Sequence, residues 1–235
     1  MNGKLYLIPC PLGIWDESLQ TIPAQTLAVI PLLAEFIVED VRTARRYIKK
    51  VYPEADIDNT TFHLLNKHIK YDEILVYLNS IENGNSIGLL SEAGCPAIAD
   101  PGALIVEIAH EKNITVVPLV GPSSIVLALM ASGFNGQNFA FSGYLPIEKA
   151  ERSKAIKNIE QTSAKQNQSQ IFIETPFRNN QMLAEILSVC RDDTRLCIAC
   201  ELSTPNEFVQ TKSVYKWRNI KLDLHKKNVV FVLMA

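Results

Sequence analysis

Residues 86–110 read Ser86-Ile-Gly-Leu-Leu-Ser-Glu-Ala-Gly-Cys-Pro-Ala-Ile-Ala-Asp-Pro-Gly-Ala-Leu-Ile-Val-Glu-Ile-Ala-His110. The apolar run Ser86–Leu90 is short and bounded by turn residues, which marks a buried strand. Ser91–Gly102 carries two glycines and two prolines and reads as a rigid loop. Ala103–His110 follows as a helix. A buried strand passing through a tight loop into a helix is half of a parallel βαβ unit.

The same alternation extends in both directions. Upstream, Lys4–Ile8 is a short strand ending at a proline-rich turn. Leu33–Val38 is a strand followed by a helix from about Thr43 to Val51. Thr61–Leu65 reads as a third strand. Tyr71–Ile81 has helical periodicity, with Ile74, Leu75 and Leu78 on one face. Downstream, β-branched Ile114–Leu119 ends at Gly121-Pro-Ser-Ser124, and a helix from Ser124 to Ala131 follows. This half predicts a mostly parallel sheet covered by helices.

The second half changes character. Strand-like Phe139–Gly143 precedes a polar helix, Glu148–Gln161. Gln170–Glu174 is a strand and Asn179–Cys190 a helix. Three strand-like runs then follow: Leu196–Cys200, Phe208–Lys216 and Val229–Met234. Strands without helices between them predict antiparallel pairing, hence a mixed sheet. The turn-rich stretch Ser132–Gln137 sets the expected boundary, giving an α/β domain over 1–132 and a second, with a mixed sheet, over 133–235. Polar Ser163–Ser169 reads as a surface loop.

Composition restricts the function. The chain has 235 residues, 47% of them hydrophobic and 20% charged, so it buries a real core. A net charge of −2 argues against a strongly basic nucleic-acid protein while leaving room for a local basic patch. Five cysteines show no disulfide framework, and Cys197-x-x-Cys200 lies in a strand-like run with no second pair, so no zinc site is expected. The start of the chain is broken by Pro9 too early for a signal peptide, and no apolar run nears the roughly 20 residues that span a bilayer. A soluble cytoplasmic protein is expected. The histidines at 63, 68, 110 and 225 form no metal-binding spacing, so no catalytic metal is expected.

In open parallel sheets, ligands bind beyond the carboxyl ends of the strands, so the loops there carry the candidate chemistry. Pro9-Cys-Pro-Leu-Gly13 is stiff and ends in a glycine that permits close backbone approach, but it lacks the GxGxxG fingerprint. Within Ser91–Gly102, Asp100 followed by Pro101 reads as a helix cap. Glu92 is the better ligand candidate, suited to an ammonium, a ribose or a sulfonium. Gly121-Pro-Ser-Ser124 offers helix N-terminal amides, with serine capping as the alternative. Glu39-Asp-Val-Arg42 is either a base or substrate-orienting group with a phosphate-pairing arginine, or simply a helix start rich in acid. Glu174-Thr-Pro-Phe-Arg178 and Glu201-Leu-Ser-Thr204 each end a strand with an acid.

Taken in order, these blocks resemble the ribosomal small-subunit RNA cytidine 2'-O-methyltransferase family, within the tetrapyrrole methylase-like superfamily. The resembling blocks are Ile8–Gly13, Glu39–Arg42, Ser91–Gly102, Val120–Ser124, Gly143–Pro146, Glu174–Arg178 and Cys200–Ser203. The resemblance implies an α/β fold of two αβα domains, with S-adenosylmethionine in the cleft between them, and a homodimer. It implies a donor pocket of Pro11, Leu12, Gly13, Glu92, Ala93, Gly94, Cys95, Ser123 and Ser124. Glu39, Asp40 and Glu174 become the candidates for orienting or deprotonating a ribose hydroxyl in rRNA, and Arg42, Arg152 and Arg178 for holding phosphates. The chain departs from the family pattern at Glu92 (usually Asp), Phe177 (usually His), Glu148 (usually Lys) and Ile14 (usually Asn), and it ends before a small helical extension. These departures keep two alternatives open: a small-molecule acceptor such as a tetrapyrrole, and a non-catalytic S-adenosylmethionine-binding paralogue.

Overall fold

The computed structural model describes residues 3–13, 17–66, 69 and 71–235; Ile14 and His68 lie outside them. The chain divides into two compact units, Met1–Ser123 and Ser124–Ala235.

The first unit holds strands β1 (Lys4–Ile8), β2 (Glu35–Val38), β3 (Thr61–Leu64), β4 (Ile87–Leu90) and β5 (Thr115–Pro118). They form one sheet in the order β3-β2-β4-β1-β5, with every pairing parallel. Its helices are α1 (Ala24–Leu27), α2 (Val41–Val51), α3 (Tyr71–Leu75), α4 (Asn79–Glu82) and α5 (Gly102–Glu111).

Side chains alternate across a strand, so each strand feeds two cores. Ile37 of β2 and Ile87 and Leu89 of β4 join Ile105 and Ile108 of α5. Phe36 and Val38, with Leu90 and Ile8, join Ala44 and Ile48 of α2. Each such fully buried side chain contributes roughly 1.5–3 kcal/mol. This two-sided burial is why the strands read as continuous apolar runs.

The second unit holds β6 (Phe139–Tyr144), β7 (Ser169–Ile173), β8 (Arg195–Cys200), β9 (Phe208–Ser213) and β10 (Val229–Met234), in the order β6-β7-β10-β8-β9. Only β6–β7 is parallel, so the sheet is mixed as expected. Its helices are α6 (Ser124–Ser132), α7 (Lys149–Gln166), α8 (Asn179–Val189) and α9 (Val214–Trp217). Phe172 and Phe231 stack at 5.6 Å, and buried Trp217 donates its indole N–H to the Leu196 carbonyl at 2.8 Å. Cys197 and Cys200 are buried free thiols in β8.

Four features differ from the sequence reading. Helix α6 packs on β7, β8, β9 and β10. The second unit therefore starts at Ser124, ahead of the turn at Ser132–Gln137. Tyr71–Ile81 is not one helix: a 3-10 turn at Val76–Leu78 separates α3 from α4. Lys112 donates to the Leu75 carbonyl at this break, giving it a partner outside the helix.

The run 163–169 is not a surface loop. Helix α7 continues to Gln166, and Asn167 ends it in the left-handed region. Ser163 is fully buried, with its hydroxyl accepting the Ala235 amide at 2.9 Å. Strand β9 stops at Ser213, whose side chain caps α9, rather than running on to Lys216. The short helical turns between residues 18 and 32 carry too few residues to register as a periodic pattern.

Candidate active site at the strand ends of the first unit

Because all five strands of the first sheet are parallel, their following loops gather at one edge. Residues 9–13 follow β1, Glu39 and Asp40 follow β2, 91–101 follow β4, and 119–123 follow β5. Cys10 and Gly94 exchange both backbone hydrogen bonds, at 2.9 and 3.0 Å, which locks the first loop to the third. The Ser91 hydroxyl donates to the Gly94 carbonyl at 2.8 Å. The Tyr47 hydroxyl donates to the Pro9 carbonyl at 3.1 Å, and the Thr26 hydroxyl to the Val120 carbonyl at 2.7 Å.

Two glycines are required here. Gly94 has φ +75°, and a Cβ on it would sit 3.2 Å from Leu12 Cδ2. A Cβ on Gly121 would lie 2.2 Å from Pro9 Cβ. Backbone of two loops thus meets where only glycine fits.

The Ser91–Gly102 loop stores strain. Ala97 and Ala99 sit at φ 66° and 64°, in the left-handed region, at a cost of about 1–2 kcal/mol each. Asp100 holds this shape: its carboxylate accepts the Ala97 amide at 2.9 Å and the Gly102 amide at 2.7 Å. Asp100 is not the expected helix cap: α5 begins at Gly102 with Pro101 in the cap position and no side-chain cap, and the Asp100 carboxylate bridges the Ala97 and Gly102 amides instead. Burial raises the Asp100 carboxyl above the usual range, against the pull of those two amides. Strain held by dedicated hydrogen bonds is a mark of functional loops.

Three carboxylates surround the loop mouth, and they differ. Asp40 caps α2, accepting the Thr43 amide at 2.8 Å, and that hydrogen bond holds its carboxyl below the usual range. The alternative reading of Asp40 as part of a helix start is thus what the structure shows. Glu39 accepts the Glu92 amide at 3.3 Å. Glu92 is raised by partial burial and by the Asp40 charge. Buried Cys10 has its thiol pushed up by desolvation, then by Glu92 and Glu39, so it stays protonated. Burial likewise pushes up the Tyr47 phenol.

A cavity of about 100 Å³ opens beside these groups, lined by Pro11, Gly13, Glu92, Arg46, Tyr47 and Lys50, among others. Arg46, Tyr47 and Lys50 escaped the sequence reading. The signal was present in the i, i+4 spacing of Arg42, Arg46 and Lys50 on one helix.

The second unit places its candidates differently. Glu174, just beyond β7, is buried and accepts both the Thr175 amide and the Arg178 guanidinium at 2.6 Å. Arg152 is buried, donates to the Ile147 carbonyl at 2.7 Å, and lies 3.5 Å from Glu185. Both arginines are paired inside their own unit, and each keeps a buried Nε without a hydrogen-bond partner. Phe177 is exposed and meets the His225 ring edge-on at 6.0 Å. Ser124 opens α6, with Ser123 just before it. Among the described residues, no helix is long and apolar enough to cross a membrane.

The family model described as Tetrapyrrole (Corrin/Porphyrin) Methylases matches residues 24–216. The chain belongs to this methylase family. It is 33% identical to ribosomal RNA small subunit methyltransferase I of Vibrio cholerae, over 89% of this chain and 69% of that protein. It is 30% identical to the protein of the same name from Halalkalibacterium halodurans, over 83% of this chain and 65% of that protein. The chain thus spans about two thirds of the length of these relatives. Solved structures share the methylase fold at low identity. Diphthine synthase superposes with a TM-score of 0.68 at 14% identity, covering 98% of this chain and 89% of that one. The methyltransferase CobJ gives 0.63 at 14%, covering 99% and 94%.

Proposed function

We propose that this chain is an S-adenosylmethionine-dependent methyltransferase acting on a ribose 2'-hydroxyl of small-subunit rRNA, as a cytoplasmic homodimer. The observation that carries the donor assignment is the locked triple of loops after β1, β4 and β5. There, Gly94 and Gly121 leave backbone and small side chains facing the strand ends, with the Glu92 carboxylate beside them. Such a surface fits a large nucleoside whose tail carries a sulfonium beside an ammonium and a carboxylate. Pro11, Leu12, Gly13, Ala93, Gly94, Cys95 and Ser123 supply walls and amides, and Glu92 supplies the charge. The names of the relatives support an rRNA acceptor.

When bound, S-adenosylmethionine supplies an electrophilic methyl group on a sulfonium. The chain contributes position and charge, and holding two reactants in line provides a large share of such an acceleration. Glu92 is partly desolvated, so its attraction for a cation is stronger than in water. Asp40 is committed to its helix cap, and Glu174 is buried against Arg178. Glu39 follows β2 at the same loop mouth, where it accepts the Glu92 amide, and is assigned the role of taking the proton of the acceptor hydroxyl.

The test is methyl transfer from labelled S-adenosylmethionine to small ribosomal subunits taken from a strain lacking the gene, with the product mapped by mass spectrometry. One new ribose 2'-O-methyl group is the expected result. Donor binding without transfer to any rRNA site would sink the acceptor assignment.

A further inference from the structure

Helix α2 reads Val-Arg-Thr-Ala-Arg-Arg-Tyr-Ile-Lys-Lys-Val over Val41–Val51, with five cations and no acid in a chain of net charge −2. At 100° per residue the five cations cover an arc of about 140° on the face away from Ala44 and Ile48, which are buried. The two edges of that arc have different surroundings. On one edge, Arg45 pairs with Asp58 at 2.9 Å and Lys49 donates to the Pro53 carbonyl at 2.9 Å. On the other, Arg46 and Lys50 line the same cavity as Pro11, Gly13 and Glu92. Lys50 is steadied there by the Ser18 hydroxyl at 3.0 Å. Arg42 continues this edge toward the strand ends, one turn closer to Glu39 and Asp40.

The cavity is thus lined by one acid, Glu92, and two cations, Arg46 and Lys50. The acid suits the sulfonium, and the cations suit an anion beside it. A ribose hydroxyl in RNA always sits beside a phosphodiester, which is such an anion. Arg152 and Arg178 are engaged within their own unit. We propose that the Arg42–Arg46–Lys50 edge of α2 is the phosphate-binding face, holding the RNA backbone next to the acceptor nucleotide. This rests on the rRNA reading above and deepens it. Cations at four-residue steps rise about 6 Å per step along the helix, which lets them follow a strand rather than grip one phosphate. The contact is electrostatic and carries no base specificity, so it positions the substrate.

The test compares two charge-matched variants, Arg46→Gln/Lys50→Gln and Arg45→Gln/Lys49→Gln. The probe is a fluorescently labelled small-subunit rRNA transcript, titrated at several salt concentrations, with S-adenosylmethionine affinity measured separately by calorimetry. Each single-stranded phosphate contact contributes about 0.7 to the slope of log affinity against log salt. The first variant is therefore expected to lose about 1.4 from the slope, while the second keeps the wild-type slope and donor affinity. Equal losses in the two variants would reduce the effect to net charge and overturn the proposal. Loss of donor affinity in Arg46→Gln/Lys50→Gln would assign these cations to the donor's carboxylate, and would also overturn it. A wild-type protein that binds no transcript would remove the rRNA reading itself, and this face with it.

Discussion

Gly121→Ala tests how tightly the candidate donor loops are built. The new methyl would lie 2.2 Å from Pro9 Cβ and 2.6 Å from Pro9 Cγ. Carbon atoms settle at about 3.5–4.0 Å, so the gap must open by roughly 1.5 Å. Pro9 cannot rotate away, since its ring is fused to the backbone, and its carbonyl is held by Tyr47. Overpacking typically costs about 1–3 kcal/mol, and a rigid obstacle places this site near 3 kcal/mol. The strain pushes the Pro9–Gly13 loop off Gly121 and disturbs the Cys10–Gly94 pair that aligns Glu92. Urea denaturation should show the lost stability, and calorimetry should show at least a tenfold weaker grip on S-adenosylmethionine, about 1.4 kcal/mol. Gly136→Ala, where a Cβ meets nothing within 4 Å, is the matched control and should be silent. A Gly121→Ala protein with wild-type stability and donor affinity would refute the locked-loop argument.

Three further outcomes follow from the same geometry. Asp100→Ala removes the acceptor for the Ala97 and Gly102 amides and should cost about 1–2 kcal/mol in urea denaturation while weakening donor binding; an unchanged protein would show that the strained alanines hold themselves. Glu92 has a raised pKa, so it carries its proton above the ordinary carboxylate range, and its ionisation opposes folding as pH rises through that window. Donor affinity should accordingly climb with pH in the wild type and stay flat in Glu92→Gln, whereas parallel profiles would remove Glu92 from the cation site. Arg178→Ala leaves Glu174 buried without its counter-charge and should cost about 3–5 kcal/mol. A stable Arg178→Ala protein that lost only RNA binding would restore Arg178 as a phosphate ligand.

Much of the fold was legible because a parallel sheet buried on both faces writes itself as short apolar runs. Ile87–Leu90 and Val229–Met234 were readable for that reason. Ser163 was misread because polarity is a poor guide where one backbone amide satisfies a buried hydroxyl. Ser213 was misread because alternation does not announce where a strand turns into a helix; only the cap does. At the site, the glycine and proline loops were visible from chemistry and spacing alone. What each acid does was not. Asp40 and Glu92 are similar letters in similar loops, yet one is a helix cap with a lowered pKa and the other a partly desolvated carboxylate with a raised one. The pairing of Arg152 with Glu185 and of Arg178 with Glu174 is a property of the folded unit that no spacing announces. Of the α2 cations only Arg42 was legible, because charges on a helix ordinarily mean a solvated face, and only the cavity beside Arg46 and Lys50 distinguishes one edge from the other.

The central claim is that the loops after β1, β4 and β5 hold S-adenosylmethionine, and calorimetric titration of the purified protein with that compound tests it most directly. Saturable binding of one molecule per chain, weakened in Gly121→Ala and made pH-independent in Glu92→Gln, is the predicted result. Absence of binding by the folded wild-type protein at millimolar donor would contradict it.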